Sequence, residues 1–492
     1  MNSIVSVFSQ VLILAFLSVN LFSQSGWDSR QNRSSVLIQT EDTPAKIVEK
    51  ASHVIPTPRQ YAWQEMEFIA FTHFGMNTFT NREWGEGKDD PALFNPDDFD
   101  ADQWARVIHD AGIKMILLTA KHHDGFCLWP SKLTGYSVSK SNWRNGKGDV
   151  VKEVADACHK YGLKFGIYLS PWDRYEPSYG DSPHYNEFFR NQLRELLTDY
   201  GKISEVWFDG ACGEGPNGKK QEYDWSSYYN VIRELQPDAV IAIMGPDVRW
   251  VGTESGYGRE TEWSVLPDIV NTDSTAPSGQ IPADGVFIPR NFMDQDLGGR
   301  DKILKAKNLS WYPAETDVSI RPGWFYHQEE DSLVKFPEQL VDIYFSSVGR
   351  NSVLLLNIPP NKHGRIQDQD VKSLTGMRKI LDETFHRNLV PDPGLRLSDN
   401  IYEYSLESSK TFNIVLLQED ITQGQRIEKF RIEYRDGKEW KVCARGTTVG
   451  YKRLLRFGDV KTKGIRLVIE STRGIPVIKT FGVYYRGMKN EE

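Results

Sequence analysis

Short apolar runs that each end in a chemically loaded residue, alternating with amphipathic helices, constrain this chain more than any other feature. Phe68–Phe71 runs into Thr72-His73-Phe74-Gly75, and Lys114–Thr119 into Lys121-His122-His123-Asp124-Gly125. Phe165–Leu169 runs into Ser170-Pro171-Trp172-Asp173, and Glu205-Val206-Trp207-Phe208 into Asp209-Gly210. Between them lie helical patterns at Asp100–Gly112, Asp149–Tyr161, Tyr185–Tyr200 and Asp224–Leu235, with Asp100 and Asp149 placed as caps and Gly162 as a left-handed terminator. Ala239–Met244 reads as a fifth strand, Thr261–Val265 as a sixth and Trp311-Tyr312-Pro313 as the start of a seventh. A helix at Gln339–Val348 then leads to an eighth at Val353–Ile358. Strands alternating with helices imply parallel pairing and right-handed crossovers. Apolar runs without polar alternation imply strands covered on both faces. The expectation is a (β/α)8, TIM-like barrel over residues 56–388, with its chemistry at the C-terminal ends of the strands.

Past Pro391-Asp392-Pro393-Gly394 the helical period disappears. Short strands are expected at Phe412–Gln418, Ile427–Tyr434, Trp440–Ala444, Arg453–Phe457, Ile465–Ile469 and Val477–Tyr485, with Asp436-Gly437 as a hairpin turn. Residues 389–492 therefore read as a β-sandwich that binds glycans or buttresses the barrel. At the other end, Ile4–Phe22 is an uncharged apolar stretch followed by Ser23-Gln24-Ser25-Gly26. Residues 1–25 read as a cleaved export signal, with a membrane anchor as the rival, and 26–55 as an irregular N-terminal tail. The expected location is periplasmic or secreted, with no stable membrane insertion after signal removal.

The net charge of −8 argues against a nucleic-acid partner. Cys127, Cys158, Cys212 and Cys443 are too scattered for a metal site, and a core this large needs no bridges, so buried thiols are expected. His122 and His123 are neighbours on one extended run and cannot easily ligate a common ion. No metal or other cofactor is expected. The 14 Trp suit sugar binding, though they also fill cores.

Asp209, a lone carboxylate at the end of a buried strand, is the candidate nucleophile. A glycosidic bond also needs a proton for its leaving oxygen. Glu254, Glu260 and Glu262 all follow the fifth strand, and physical reasoning from the sequence does not rank them.

Five ordered motifs bear on the choice: Thr72-His73-Phe74-Gly75, Lys121-His122-His123-Asp124-Gly125-Phe126, Tyr168-Leu169-Ser170-Pro171, Val206-Trp207-Phe208-Asp209-Gly210 and Trp311-Tyr312-Pro313-Ala314-Glu315. Over about residues 55–380 the chain resembles the α-L-fucosidases of glycoside hydrolase family 29. Arg249-Trp250-Val251-Gly252-Thr253-Glu254 is similar to the subfamily acting on α-1,3 and α-1,4 fucosyl linkages. The resemblance implies a retaining, metal-independent exo-glycosidase with Asp209 as nucleophile and Glu254 as acid/base, about 5 Å apart. It implies sugar contacts at His73, His122, His123, Glu83, Trp84, Tyr168 and Trp207, with Phe71 and Trp324 beside the sugar methyl. Glu254 as an acid is expected to hold its proton through burial or the charge on Asp209. The substrate implied is a fucosylated glycan. The rivals are a fucose-binding protein without turnover and a retaining glycosidase for another sugar.

Overall fold

The computed structural model describes residues 33–267, 294–390, 395–398 and 400–487. The expected signal at 1–25 lies outside the described residues. Eight parallel strands form one sheet: β1 (Phe68–Thr72), β2 (Met115–Lys121), β3 (Lys164–Leu169), β4 (Glu205–Phe208), β5 (Val240–Ile243), β6 (Arg249–Trp250), β7 (Ala314–Ser319) and β8 (Ser352–Asn357). Their order is β5-β4-β3-β2-β1-β8-β7-β6, which brings the consecutive β5 and β6 to the two edges of a nearly closed barrel. The turn joining those edges carries Asp247, which accepts from Ile241 N at 2.8 Å and pairs with Arg59 and Arg233.

The helices on the outside are α1 (Ala101–Asp110), α2 (Val150–Tyr161), α3 (Ser182–Asp199), α4 (Trp225–Leu235), α5 (Pro337–Ser346) and α6 (Asp368–Phe385). Asp100 and Asp149 cap α1 and α2 through Gln103 N and Lys152 N, and Gly162 ends α2 at φ 70°. There the left-handed backbone favours a residue without a Cβ.

Residue parity decides what faces the barrel interior. Ile69, Phe71, Met115, Leu117, Tyr168, Trp207, Val353 and Leu355 share one apolar cluster. Their neighbours Phe68, Ala70, Ile116, Leu118, Val206, Phe208, Leu354 and Leu356 belong to a second cluster with the helices. Side chains alternate along a strand, so His73, Asp209, Asp317 and Asn357 continue the inward rows. A register shift between Thr119 and Lys121 interrupts the row on β2. It lets Lys121 turn outward to Asp173 and Gln192, at 2.8 and 2.9 Å.

Low in the barrel, beneath Trp207, lies a polar pair. Glu205 accepts from Trp63 Nε1 at 2.9 Å and Glu315 from Trp207 Nε1 at 3.0 Å, and the two buried carboxyls are near enough for the charge of one to act on the other. Burial raises both above the usual carboxylate range, and the neighbouring Glu205 raises Glu315 further, so the pair favours its protonated form.

The expected sixth and seventh strands were misplaced. Thr261–Val265 does not enter the barrel; the sixth strand is the two-residue Arg249–Trp250. Val265–Pro267 instead joins Asn308–Trp311 and Ser35–Leu37 in a separate antiparallel sheet. Trp311 thus ends one sheet, and β7 begins only at Ala314, after Pro313, which has no N–H to donate. Residues 33–55 are likewise no irregular tail: Ser35–Leu37 is a strand and Pro44–Ser52 a helix whose Ile47, Val48 and Ala51 are buried.

The C-terminal part is a single antiparallel sheet of β9 (Leu395–Ser398), β10 (Ile401–Glu419), β11 (Ile427–Asp436), β12 (Glu439–Gly446), β13 (Arg453–Thr472) and β14 (Ile478–Tyr484). The expected strands Arg453–Phe457 and Ile465–Ile469 are one, because the polar residues between them stay paired with β10. The two long strands change partners midway: β10 meets β14 through its second half, while β11 pairs with the second half of β13. Phe412, Val415, Leu417, Phe481 and Val483 from one half meet Phe430, Ile432, Ile465 and Leu467 from the other in one core, so the sheet folds over itself as a sandwich. Cys127 and Cys158 are buried as expected, Cys443 is half-buried, and Cys212 is exposed.

Barrel and sandwich meet at Glu262. Its buried carboxylate lies between Arg249 and Arg259, its N–H donates to Thr448 Oγ1 at 2.9 Å, and its carbonyl accepts from Gln425 Nε2 at 2.9 Å. Removing one partner of a buried ion cluster strands the others. Glu262→Ala is expected to cost about 3–5 kcal/mol in urea unfolding, whereas Asp342→Ala, whose bridge to Arg456 is exposed, costs under about 1 kcal/mol. The carboxyl pair sets a pH dependence. Its folded-state proton affinity is raised, so its stability is full below about pH 4.3, the unfolded value, and is lost as pH rises through about 7, to which burial lifts Glu205. Glu315→Gln removes one titrating group, and the fall in melting temperature between pH 6 and 8 should flatten relative to wild type.

Candidate active site

The residues that continue the inward rows past the strand ends meet at the C-terminal mouth of the barrel. Asp209 Oδ2 accepts from Tyr168 Oη at 3.0 Å and Oδ1 from Ala211 N at 2.7 Å, so both oxygens are fixed as acceptors. The pairing of β3 with β4 sets Tyr168 beside Trp207, and their rings stack at 5.3 Å. Phe71 packs 5.3 Å from Trp207 and 4.4 Å from His73. Burial at the mouth keeps Phe71 and Tyr168 almost wholly out of solvent, while Asp209 remains partly open.

Three imidazoles line one wall, and their partners fix their tautomers. Asn357 donates its amide to Ser319 Oγ and Trp324 O, so its Oδ1 accepts from His73 Nδ1 at 2.8 Å. His73 Nε2 is then a free acceptor. Ser170 donates to Trp172 O at 2.7 Å and therefore accepts from His123 Nδ1, also at 2.7 Å, which leaves His123 Nε2 as an acceptor 3.7 Å from Asp209 Oδ2. Asn77 Nδ2 approaches His122 Nδ1 at 3.4 Å, which makes His122 Nε2 a donor. Burial lowers all three imidazoles below their usual value, His73 to about 3, so they stay neutral through the physiological range. Two acceptors and a donor beside a carboxylate suit a ligand with several adjacent hydroxyls. A hydroxyl proton between His123 and Asp209 would relieve two facing lone pairs.

The sequence left Glu254, Glu260 and Glu262 unranked, and the structure separates them. Glu262 is sealed between two arginines, and Glu260 pairs with Arg350 and Arg453. Glu254 alone of the three reaches the mouth, where Trp324 Nε1 donates to its Oε2 at 3.3 Å. The same indole lies 5.2 Å from His73 and 6.1 Å from Phe71, so Glu254 and Asp209 border one aromatic-floored pocket. Glu254 is exposed, so burial, the first cause invoked for it as an acid, is absent here.

Two other expected contacts, Glu83 and Trp84, lie around the same mouth. Glu83 gives its oxygens to Trp324 N at 2.8 Å, Phe325 N at 3.1 Å and His327 Nε2 at 2.6 Å. It pins the loop that carries Trp324. Trp84 stands exposed at the rim, edge-on to His123 and to Trp172, at 5.3 and 5.4 Å.

The structure adds Asn357, Asn77, Trp172, His327 and Asp317 to the predicted set. Asn357 ends β8 as His73 follows β1, so the strand-end rule used for the first four strands reaches it when extended to the eighth. Trp172 follows Ser170-Pro171 in the loop after β3. No cluster of three or more His, Cys, Asp or Glu side chains arranged to hold a metal occurs among the described residues.

Comparison with known proteins agrees with this geometry. The family model described as Alpha-L-fucosidase matches residues 57–384. "Alpha-L-fucosidase 1" of Arabidopsis thaliana is 42% identical over 466 residues, covering 87% of each chain. A crystal structure from Bacteroides ovatus, assigned to the alpha-L-fucosidases, is 52% identical with a TM-score of 0.87 and covers 94% of this chain and 79% of its own. A Ruminococcus gnavus GH29 fucosidase solved in complex with fucose is 31% identical with a TM-score of 0.75, covering 88% of this chain and 95% of its own. The barrel, the residues at its mouth and these matches together make this chain a member of the alpha-L-fucosidase family of glycoside hydrolases.

Proposed function

We propose that the protein is a retaining exo-α-L-fucosidase, with Asp209 as nucleophile and Glu254 as acid/base. The observation that carries this reading is the pocket between the two carboxylates: one is held from below by Tyr168, the other from above by Trp324. Its remaining wall is apolar on one side and neutral imidazole on the other. Fucose has that division, a methyl group and a set of hydroxyls. Phe71 and Trp324 cover the methyl, and His73, His122 and His123 pair with the hydroxyls. The relative crystallised with fucose supports the choice of sugar.

In the first step Asp209 attacks the anomeric carbon while Glu254 gives its proton to the leaving oxygen. The carbon inverts and a fucosyl ester forms on Asp209. The ester carries no charge, so Glu254 then acts as a base toward water, which attacks the same carbon from the vacated side. Two inversions return the original α configuration. Tyr168 and Ala211 N hold Asp209 in line through both steps, and the neutral imidazoles need no change of protonation.

The stretch Arg249–Glu254 supports α-1,3/1,4 linkages on branched glycans as the natural target, and the apolar Ile4–Phe22 stretch supports export to the periplasm or medium. N-terminal sequencing of the mature protein tests the second.

Asp209→Ala should lower kcat on an aryl α-L-fucoside by several orders of magnitude. Glu254→Ala should regain turnover with added azide and yield the α-configured fucosyl azide, because azide replaces water in the second step. Equal activity of wild type and Asp209→Ala would remove Asp209 from the mechanism. Sugar binding without product release by wild type would favour a lectin-like protein, and faster cleavage of another aryl glycoside would favour a different sugar.

A further inference from the structure

Asp317 is a carboxyl at the mouth that the mechanism above does not use. It lies two residues after Glu315 on β7 and so one layer higher on the same inward row. It is 5% exposed. Its Oδ1 accepts from Trp250 Nε1 at 2.8 Å. Its Oδ2 has no hydrogen-bond partner among the described residues and is not among the atoms sealed from solvent. Asp209 and Glu254 both lie close enough to act on the carboxyl by charge. Burial, with those two charges adding to it, raises the carboxyl to about 7.

The backbone around Asp317 explains why it is there. Val251 N donates to Glu315 O at 2.8 Å and Gly256 N to Asp317 O at 3.1 Å. The segment between them, which carries Glu254, is thus an excursion from β6 pinned at both ends to β7. Asp317 holds that excursion through Trp250 and still keeps one oxygen for something else. An acceptor that opens on a ligand pocket and has no protein partner is available to a ligand hydroxyl.

We propose that Asp317 is a substrate-binding residue whose Oδ2 hydrogen-bonds a substrate hydroxyl next to the scissile bond, on the fucosyl unit or on the leaving sugar. A hydroxyl both donates and accepts, so it pairs with this oxygen whether or not the carboxyl carries its proton. The inference rests on the fucosidase reading of the site. It differs from a purely structural role for Asp317, in which the bond to Trp250 would be its whole contribution.

The test compares wild type, Asp317→Ala and Trp250→Phe on 4-nitrophenyl α-L-fucoside and on an α-1,3/4-fucosylated trisaccharide. Melting curves confirm folding, and calorimetric titration with L-fucose runs in parallel. Asp317→Ala should lose about ten- to a hundredfold in kcat/KM, with KM raised, while Trp250→Phe loses about threefold or less. Loss on both substrates together with weaker fucose binding places the hydroxyl on the fucosyl unit; loss on the trisaccharide alone places it on the leaving sugar. Should Asp317→Ala not fold, Asp317→Asn, which keeps an acceptor for Trp250, is read instead, with about a fivefold loss expected. The proposal is overturned if the Asp317 variant matches wild type on both substrates, or if Trp250→Phe reproduces its loss. Inactive wild type that still binds fucose would refute turnover and leave the titration to decide on Asp317; wild type that neither turns over nor binds removes both readings.

Discussion

The pairing of β7 with β6 on one side and β8 on the other is the constraint on which the site depends. Ala314 and Glu315 pair with Arg249 and Trp250 on one side, and Ala314–Ser319 pairs with Ser352–Asn357 on the other. That register places the Glu254 excursion at the barrel mouth, where Glu254 meets Trp324. A strand slipped by one residue would reverse every side chain on β7. Glu315 and Asp317 would then turn toward the helices, Trp207 would lose its acceptor, and Trp250 would lose the oxygen that holds it.

Polar groups in the barrel are stacked rather than scattered. At the lowest level Glu205 and Glu315 anchor Trp63 and Trp207. One level up, Asp317 anchors Trp250, and at the rim Glu254 receives the indole of Trp324. Each carboxyl therefore fixes an aromatic ring that forms the floor or wall of the pocket. A fixed aromatic surface with convergent polar groups recognises a sugar without reorganising when it arrives. Glu83 extends the same logic outward: it locks the backbone of Trp324 and Phe325.

Much of this was legible in the chain. The strand-end rule found His73, His122, His123, Tyr168, Trp207 and Asp209 because their strands are apolar, bounded and followed by helices. The rule failed where those conditions fail. β6 is two residues long and carries no apolar run, so the pattern of Thr261–Val265 imitates a barrel strand better than β6 does. Trp311 belongs to another sheet, and Pro313 marks a change of sheet rather than the opening of a strand. Starting the seventh strand three residues early also hid Asp317, which lies near the end of β7 but deep inside a strand begun at Trp311. Glu83 was recognised by resemblance, but its role as a loop anchor depends on residues 241 to 244 positions away in sequence, beyond any local pattern.

Trapping the glycosyl-enzyme tests the central claim most directly. Incubation with a 2-deoxy-2-fluoro-α-fucosyl donor carrying a good leaving group, followed by proteolysis and mass spectrometry, locates the ester. The account predicts one fucosyl adduct, on the peptide containing Val206-Trp207-Phe208-Asp209-Gly210, with fragment ions assigning it to Asp209. An adduct on Glu254 or Asp317, or steady turnover without any adduct and with inverted fucose released first, would contradict it.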